Sequence, residues 1–187
     1  MHTKDRIEVT RANGSGEIMR KHIVPFTLAL ASLSALAIPA VAGETPLGAV
    51  SREAVTVEVR HFMLQVAQDV TEHGPTAWRA HFTPAREFFM AVNGHLAFAD
   101  SDAATRGIAA LPTVIKHIEL TWGDALRIDP LTSQFAVVAS PYSEVQIRRD
   151  GTRFIDHGYF TALAERRAEG WMFRDAHWSS ASAADAQ

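Results

Sequence analysis

Residues Gly170–Ser180, GWMFRDAHWSS, read as the closing strand of an antiparallel sheet. The stretch opens on a Glu169-Gly170 turn and carries Trp171, Phe173 and Trp178. It sets Asp175 and His177 two residues apart, which on a strand is the same face. Working back from it, Arg153 to Arg167 reads as a strand joined to it by a hairpin, and Asp150-Gly151 marks the hairpin before that. Gln134 to Arg148 is a third strand, in which Pro141 cannot donate to the ladder and predicts a bulge or bend. Asp129-Pro130 reads as a turn. Before it, Lys116 to Ile128 alternates, with Ile118, Leu120 and Trp122 on one face and His117, Glu119 and Thr121 on the other.

Upstream the period changes. Val55, Val59, Phe62, Met63, Val66 and Val70 form a stripe at helical spacing, with Ser51 as its N-cap and Gly74-Pro75 as its end. Pro75 then starts a short helix holding Trp78 and Phe82. Asn93-Gly94 between Glu87 to Val92 and His95 to Ala99 is a hairpin signal. Asp100 or Ser101 caps a third helix that stops at Pro112. Helices grouped early and long strands grouped late give an α+β fold, with the helices on one face of a curved antiparallel sheet.

Residues 23–42, IVPFTLALASLSALAIPAVA, carry no charge, follow Arg20-Lys21-His22 and end in Ala40-Val41-Ala42. That is the pattern of a secretory signal over residues 1–42, with Met19 as the true start. The run is also long enough to span a bilayer. Pro25, Pro39 and the A-x-A end favour cleavage, which predicts a periplasmic or secreted domain with no stable membrane anchor. Residues 43–49 then form a linker, 50–180 the domain and 181–187 a small polar tail. The chain has a net charge of −3 and no cysteine, and Lys116 is its one lysine after residue 42. A basic nucleic-acid footprint is absent, and no disulfide can staple the fold. No His/Cys cluster has metal-site spacing and no Gly-rich loop could cradle a phosphate, so the residues imply neither metal nor cofactor.

Taking each hairpin as a two-residue loop sets a register. Ala164 then opposes Asp175, Ala162 opposes His177, Ile147 opposes Phe154, and Val145 opposes Asp156. One face carries Val145, Ile147, Phe154, Phe160, Ala162 and Ala164, together with Trp171, Phe173, Asp175 and His177. The other carries Tyr142, Glu144, Gln146, His157, Tyr159 and Thr161, together with Glu165, Arg174 and Trp178. The first face is apolar enough to line a small-molecule pocket roofed by Trp78 and Phe82, with Phe154, Phe160 and Phe173 in its wall. Asp175, desolvated there, would suit a general base, and His177 an oxyanion donor or proton partner. The structural alternative is that His177 bonds a backbone carbonyl and Asp175 pairs with an arginine or caps a helix. His117 and Glu119 form a second polar pair that a solvent face explains equally well.

The element order, the W-x-F-x-D-x-H-W-S ending at Trp171 to Ser179, the segment Ala77-Trp78-Arg79-Ala80-His81-Phe82, the Asn93-Gly94 hairpin and the helix from Ala104 to Leu111 resemble the SnoaL-like branch of the nuclear transport factor 2 (NTF2-like) superfamily. The resemblance implies a cone-shaped α+β barrel, its curved antiparallel sheet wrapped around about three N-terminal helices and leaving a cavity. Members include isomerases, dehydratases, cyclases and non-catalytic binding or dimerisation modules, so the fold alone does not choose. Two expectations follow. One is an exported module binding a small apolar or amphipathic molecule, or a partner, in its cavity. The other is an isomerase, dehydratase or cyclase with Asp175 as base and His177 as its partner. The resemblance also implies a homodimer, with Tyr159, Thr161 and Trp178 on the contact face.

Overall fold

In a computed structural model the described residues are 47–181; the expected leader over residues 1–42 with its start at Met19, most of the expected 43–49 linker and residues 182–187 lie outside them. Helix α1 (Ala49–His73) buries Val55, Val59, Phe62, Met63, Val66 and Val70, the stripe read from the sequence. Its N-cap is Gly48, with no side-chain hydrogen bond, so Ser51 lies inside the first turn instead of capping it. Gly74 closes the helix, its N–H donating to Val70 O at 3.0 Å. A 3-10 turn (Pro75–Ala77) then leads into α2 (Trp78–His81), both buried at Pro75, Trp78 and His81.

The hairpin of β1 (Phe89–Val92) and β2 (His95–Phe98) turns on Asn93-Gly94. Asp100 caps α3 (Ser101–Ala110), accepting the Ala103 N–H at 2.7 Å. The expected single strand 116–128 is two, β3 (Ile115–Trp122) and β4 (Arg127–Pro130). Asp129 and Pro130 belong to β4, and the turn falls later, where Thr132 Oγ1 accepts the Gln134 and Phe135 N–H groups at 3.0 and 3.1 Å. Strands β5 (Phe135–Arg148), β6 (Arg153–Arg167) and β7 (Gly170–Ser180) complete the sheet.

The seven strands run in the order β2-β1-β7-β6-β5-β3, with β4 also on β5. The sheet is mixed, since β1 pairs with β7 in parallel while the other pairings are antiparallel. Pro141 makes no bulge against β6. Its carbonyl accepts the Gly123 N–H at 2.8 Å, in the gap between the β4 pairing, which reaches Ala139, and the β3 pairing, which starts at Tyr142. The missing N–H faces that gap, where no ladder bond is lost.

Two one-residue details then decide which side chains face inward. The β5–β6 loop is one residue longer than a two-residue turn: Arg148 N–H donates to Thr152 O at 2.9 Å, and Gly151 takes φ +85°. Ile147 therefore opposes Arg153 and Glu144 opposes Asp156. Near its own turn β7 pairs as Ala164 with Phe173, but a bulge follows, with Arg174 as the extra residue. Beyond it Asp175 opposes Leu163, His177 opposes Thr161 and Trp178 opposes Phe160. A one-residue shift moves every later side chain to the other face.

The inner row of β6 (Phe160, Ala162, Ala164) is buried as the alternation predicts, joined by Phe173 and Ala176. Phe173 packs on Phe62 of α1 with ring centroids 4.9 Å apart, and Trp122 Nε1 donates to Met63 O at 2.6 Å, pinning β3 to the helix.

Candidate functional site

The curve of the sheet leaves a cavity of about 280 Å³ beneath α2, α3 and the β1–β2 hairpin. Its walls are apolar: Trp78 and Phe82 from α2 and its end, Met90 and Phe98 from the hairpin, Ile108 from α3, and Trp178 from β7. Trp78 meets Trp178 edge-on at 5.5 Å, and Tyr142 meets it edge-on at 4.6 Å. The polar lining is Tyr142, Glu144 and Gln146 of β5 with Asp156 of β6.

These four converge because of the register. Glu144 and Asp156 are direct cross-strand partners on the inner face. Asp156 Oδ2 accepts the Tyr142 hydroxyl at 2.8 Å and the Ser180 hydroxyl at 2.9 Å. The Gln146 amide donates to Glu144 Oε1. Ser180 is held in turn by its N–H to Asn93 Oδ1 at 2.7 Å, so the hairpin turn is tied to the end of β7. Gly158 pairs with Ser180, and a Cβ at Gly158 would lie 1.9 Å from the Ser179 carbonyl oxygen; only glycine admits that approach.

Burial raises the Glu144 carboxyl above its ordinary pKa; the Gln146 hydrogen bond opposes this and the nearby Asp156 charge adds to it. Tyr142 is pushed well above the usual phenol range, chiefly by burial, with the Asp156 and Glu144 charges in the same direction. An apolar hollow closed at one side by a carboxyl that resists ionisation, a second carboxylate and a phenol can bind a polar group or move a proton.

The residues expected from the sequence divide. Trp78 and Phe82 line the cavity. Phe160 and Phe173 are fully buried in the core, Phe160 with its ring 4.5 Å from Trp178. Phe154 is not in the wall; it is 42% exposed, with the Arg148 guanidinium 5.3 Å above its ring. Asp175 and His177 are not in the cavity either, because the bulge at Arg174 turns both to the outer face. Asp175 is half-buried there and accepts the Leu163 N–H at 3.2 Å, and His177 is exposed. Burial raises the Asp175 pKa, against that hydrogen bond and the Arg174 charge. The same bulge brings Trp178 inward, so it leaves the expected contact face, on which Tyr159 is exposed and Thr161 half-buried. Glu144, Gln146 and Tyr142, assigned outward from the sequence, face in.

A second depression, about 570 Å³ and more open, lies between α1, α2 and the start of β7. In it His81 Nε2 sits 3.1 Å from Asp69 Oδ2. Burial lowers the His81 pKa and the Asp69 carboxylate opposes that shift. The described residues contain no group of three or more His, Cys, Asp or Glu placed to hold a metal.

No family model matches the sequence, and no curated protein is significantly similar to it. Solved structures are similar in fold. A candidate scytalone dehydratase from Novosphingobium aromaticivorans is 13% identical, with a TM-score of 0.59 over 68% of this chain and 85% of that one. An NTF2-like superfamily protein from Salmonella enterica serovar Typhimurium is 14% identical, with a TM-score of 0.57 over 67% and 89%. A type 2 hexachlorocyclohexane dehydrochlorinase (LinA) is 11% identical, with a TM-score of 0.56 over 70% and 87%. The class this defines is the NTF2-like fold, a curved mixed sheet wrapped on three α-helices, shared by ligand-binding proteins and by enzymes of the dehydratase and isomerase kind.

The raised Glu144 pKa has a definite sign. Its contribution to stability is complete below the ordinary carboxyl value of 4.5 and is lost as pH rises through the folded-state value. Glu144→Gln removes that loss. Thermal melts are expected to show the variant gaining on the wild type as pH goes from about 4 to about 8; a constant difference across that range would refute the desolvated carboxyl.

Proposed function

We propose that this domain binds a small amphipathic molecule in the cone cavity, its apolar body against Trp78, Phe98 and Trp178 and its polar group against Tyr142, Glu144 and Asp156. The observation that carries this reading is the convergence of the polar lining onto one facing pair of strands within otherwise apolar walls. The raised Glu144 pKa favours a second reading of the same site, an isomerase, dehydratase or cyclase in which Glu144, not Asp175 or His177, exchanges the proton. The candidate dehydratase and the dehydrochlorinase of the same fold are compatible with that reading.

The test of the cavity uses N-phenyl-1-naphthylamine, a neutral apolar fluorophore. Saturable enhancement is expected, and Met90→Trp, which fills the wall from an edge hairpin, should weaken it by about tenfold while circular dichroism stays native. Absence of saturation, or an unaffected Met90→Trp, would overturn the reading. Glu144→Gln separates the two alternatives: in an enzyme it abolishes turnover, whereas a binder has no turnover to lose and shows only a change in affinity.

We further propose that the domain is exported, on the charge-free run 23–42 and its A-x-A end; mass spectrometry of the protein from its own host should then find Gly43 at the N-terminus, and an intact leader would refute this. A homodimer through the outer face of β5, β6 and β7 is supported by the exposure of Val137 and Tyr159 there. Tyr159→Arg should shift light-scattering mass from dimer to monomer, and an unchanged mass would reject that face.

A further inference from the structure

Glu144 and Asp156 are an unusual pair to find facing each other. Like charges directly opposite on antiparallel strands destabilise a sheet, and apolar surroundings strengthen the repulsion. Among the described residues neither carboxylate forms an ion pair. Their partners are neutral: Tyr142 and Ser180 for Asp156, Gln146 for Glu144. Arg148 shares the inner row of β5 but lies over the Phe154 ring. The rest of the cavity offers aromatic surface at Trp78, Phe82, Phe98 and Trp178, and ring faces attract cations and repel anions.

Resting on the reading of the cavity as a small-molecule site, we infer that its ligand is an organic cation, an amphipathic amine or ammonium compound whose charged nitrogen sits between Glu144 and Asp156 and whose apolar body lies among the tryptophans. A single positive charge between the two carboxylates removes their repulsion. It also adds a charge-assisted hydrogen bond to each, or a cation–π contact where the nitrogen carries no hydrogen. An anionic ligand would meet two negative side chains and no cation in that wall.

Three probes that share a phenyl ring and a short chain test this: phenethylammonium, 3-phenylpropan-1-ol and 3-phenylpropanoate, titrated calorimetrically into the folded protein. The ammonium is expected to bind about tenfold tighter than the alcohol, and the carboxylate weakest. Glu144→Gln should reduce ammonium affinity by about tenfold and alcohol affinity by less, so that the preference for the ammonium shrinks; an unchanged preference overturns the cation. Alcohol binding equal to ammonium, or preference for the carboxylate, overturns the cation. So does failure of all three in protein that still takes up N-phenyl-1-naphthylamine, and in each of these cases the cavity reading stands. Failure of that neutral fluorophore as well removes both.

Discussion

The contact on which the structure depends is the seating of α1 in the curve of the sheet. Six side chains of one helix face are buried against the inner rows of the strands, with Phe62 on Phe173 at the centre. Burial of this kind contributes about 1.5–3 kcal/mol for each large side chain. The Trp122 indole adds a directional bond to the helix backbone at Met63. A sheet bent round a helix curves further than the helix can fill. The remaining space is shared out by α2, α3 and the β1–β2 hairpin, and what they leave is the cavity. The site is thus a by-product of closing the core, furnished by whichever side chains the inner rows present.

Those side chains include a combination that folding by itself would not choose. Phe160, Ala162 and Ala164 of β6 serve the core, while Asp156 on the same row meets Glu144 across the strand pair. The hydroxyls of Tyr142 and Ser180 spend their bonds on one oxygen of Asp156. Polar groups arranged this carefully in an apolar hollow point to use, since a leucine or methionine at position 144 would be the cheaper solution for stability. The outer face shows the contrast: Asp175 simply satisfies a backbone N–H at the bulge, a structural task.

Much of this was legible in the sequence. The α1 stripe, the Gly74-Pro75 stop, the Asn93-Gly94 turn, the Asp100 cap and the inner row of β6 each rest on a local rule, and each stands where that rule puts it. The site was not legible, because a strand has a period of two and register errors are therefore all or nothing. Asp150-Gly151 looks like a two-residue turn, and one more residue in the loop exchanges Val145 for Glu144. No residue type announces the bulge at Arg174, which shows only in the pairing of β7 with β6. Asp156 could have been found, since the alternation of β6 already directs it inward. Its partner depended on the loop.

The pairing of β1 with β7 ties the middle of the domain to its last strand. Phe89–Val92 has only β2 beside it until residues 175–178 arrive, and β7 enters between two strands instead of adding at an edge. Such non-local pairing slows folding. Ser180 rides on that same strand, so the polar end of the hollow depends on it. A chain cut before residue 175 would lack the parallel neighbour of β1, the Trp178 wall of the hollow and the Ser180 hydroxyl on Asp156.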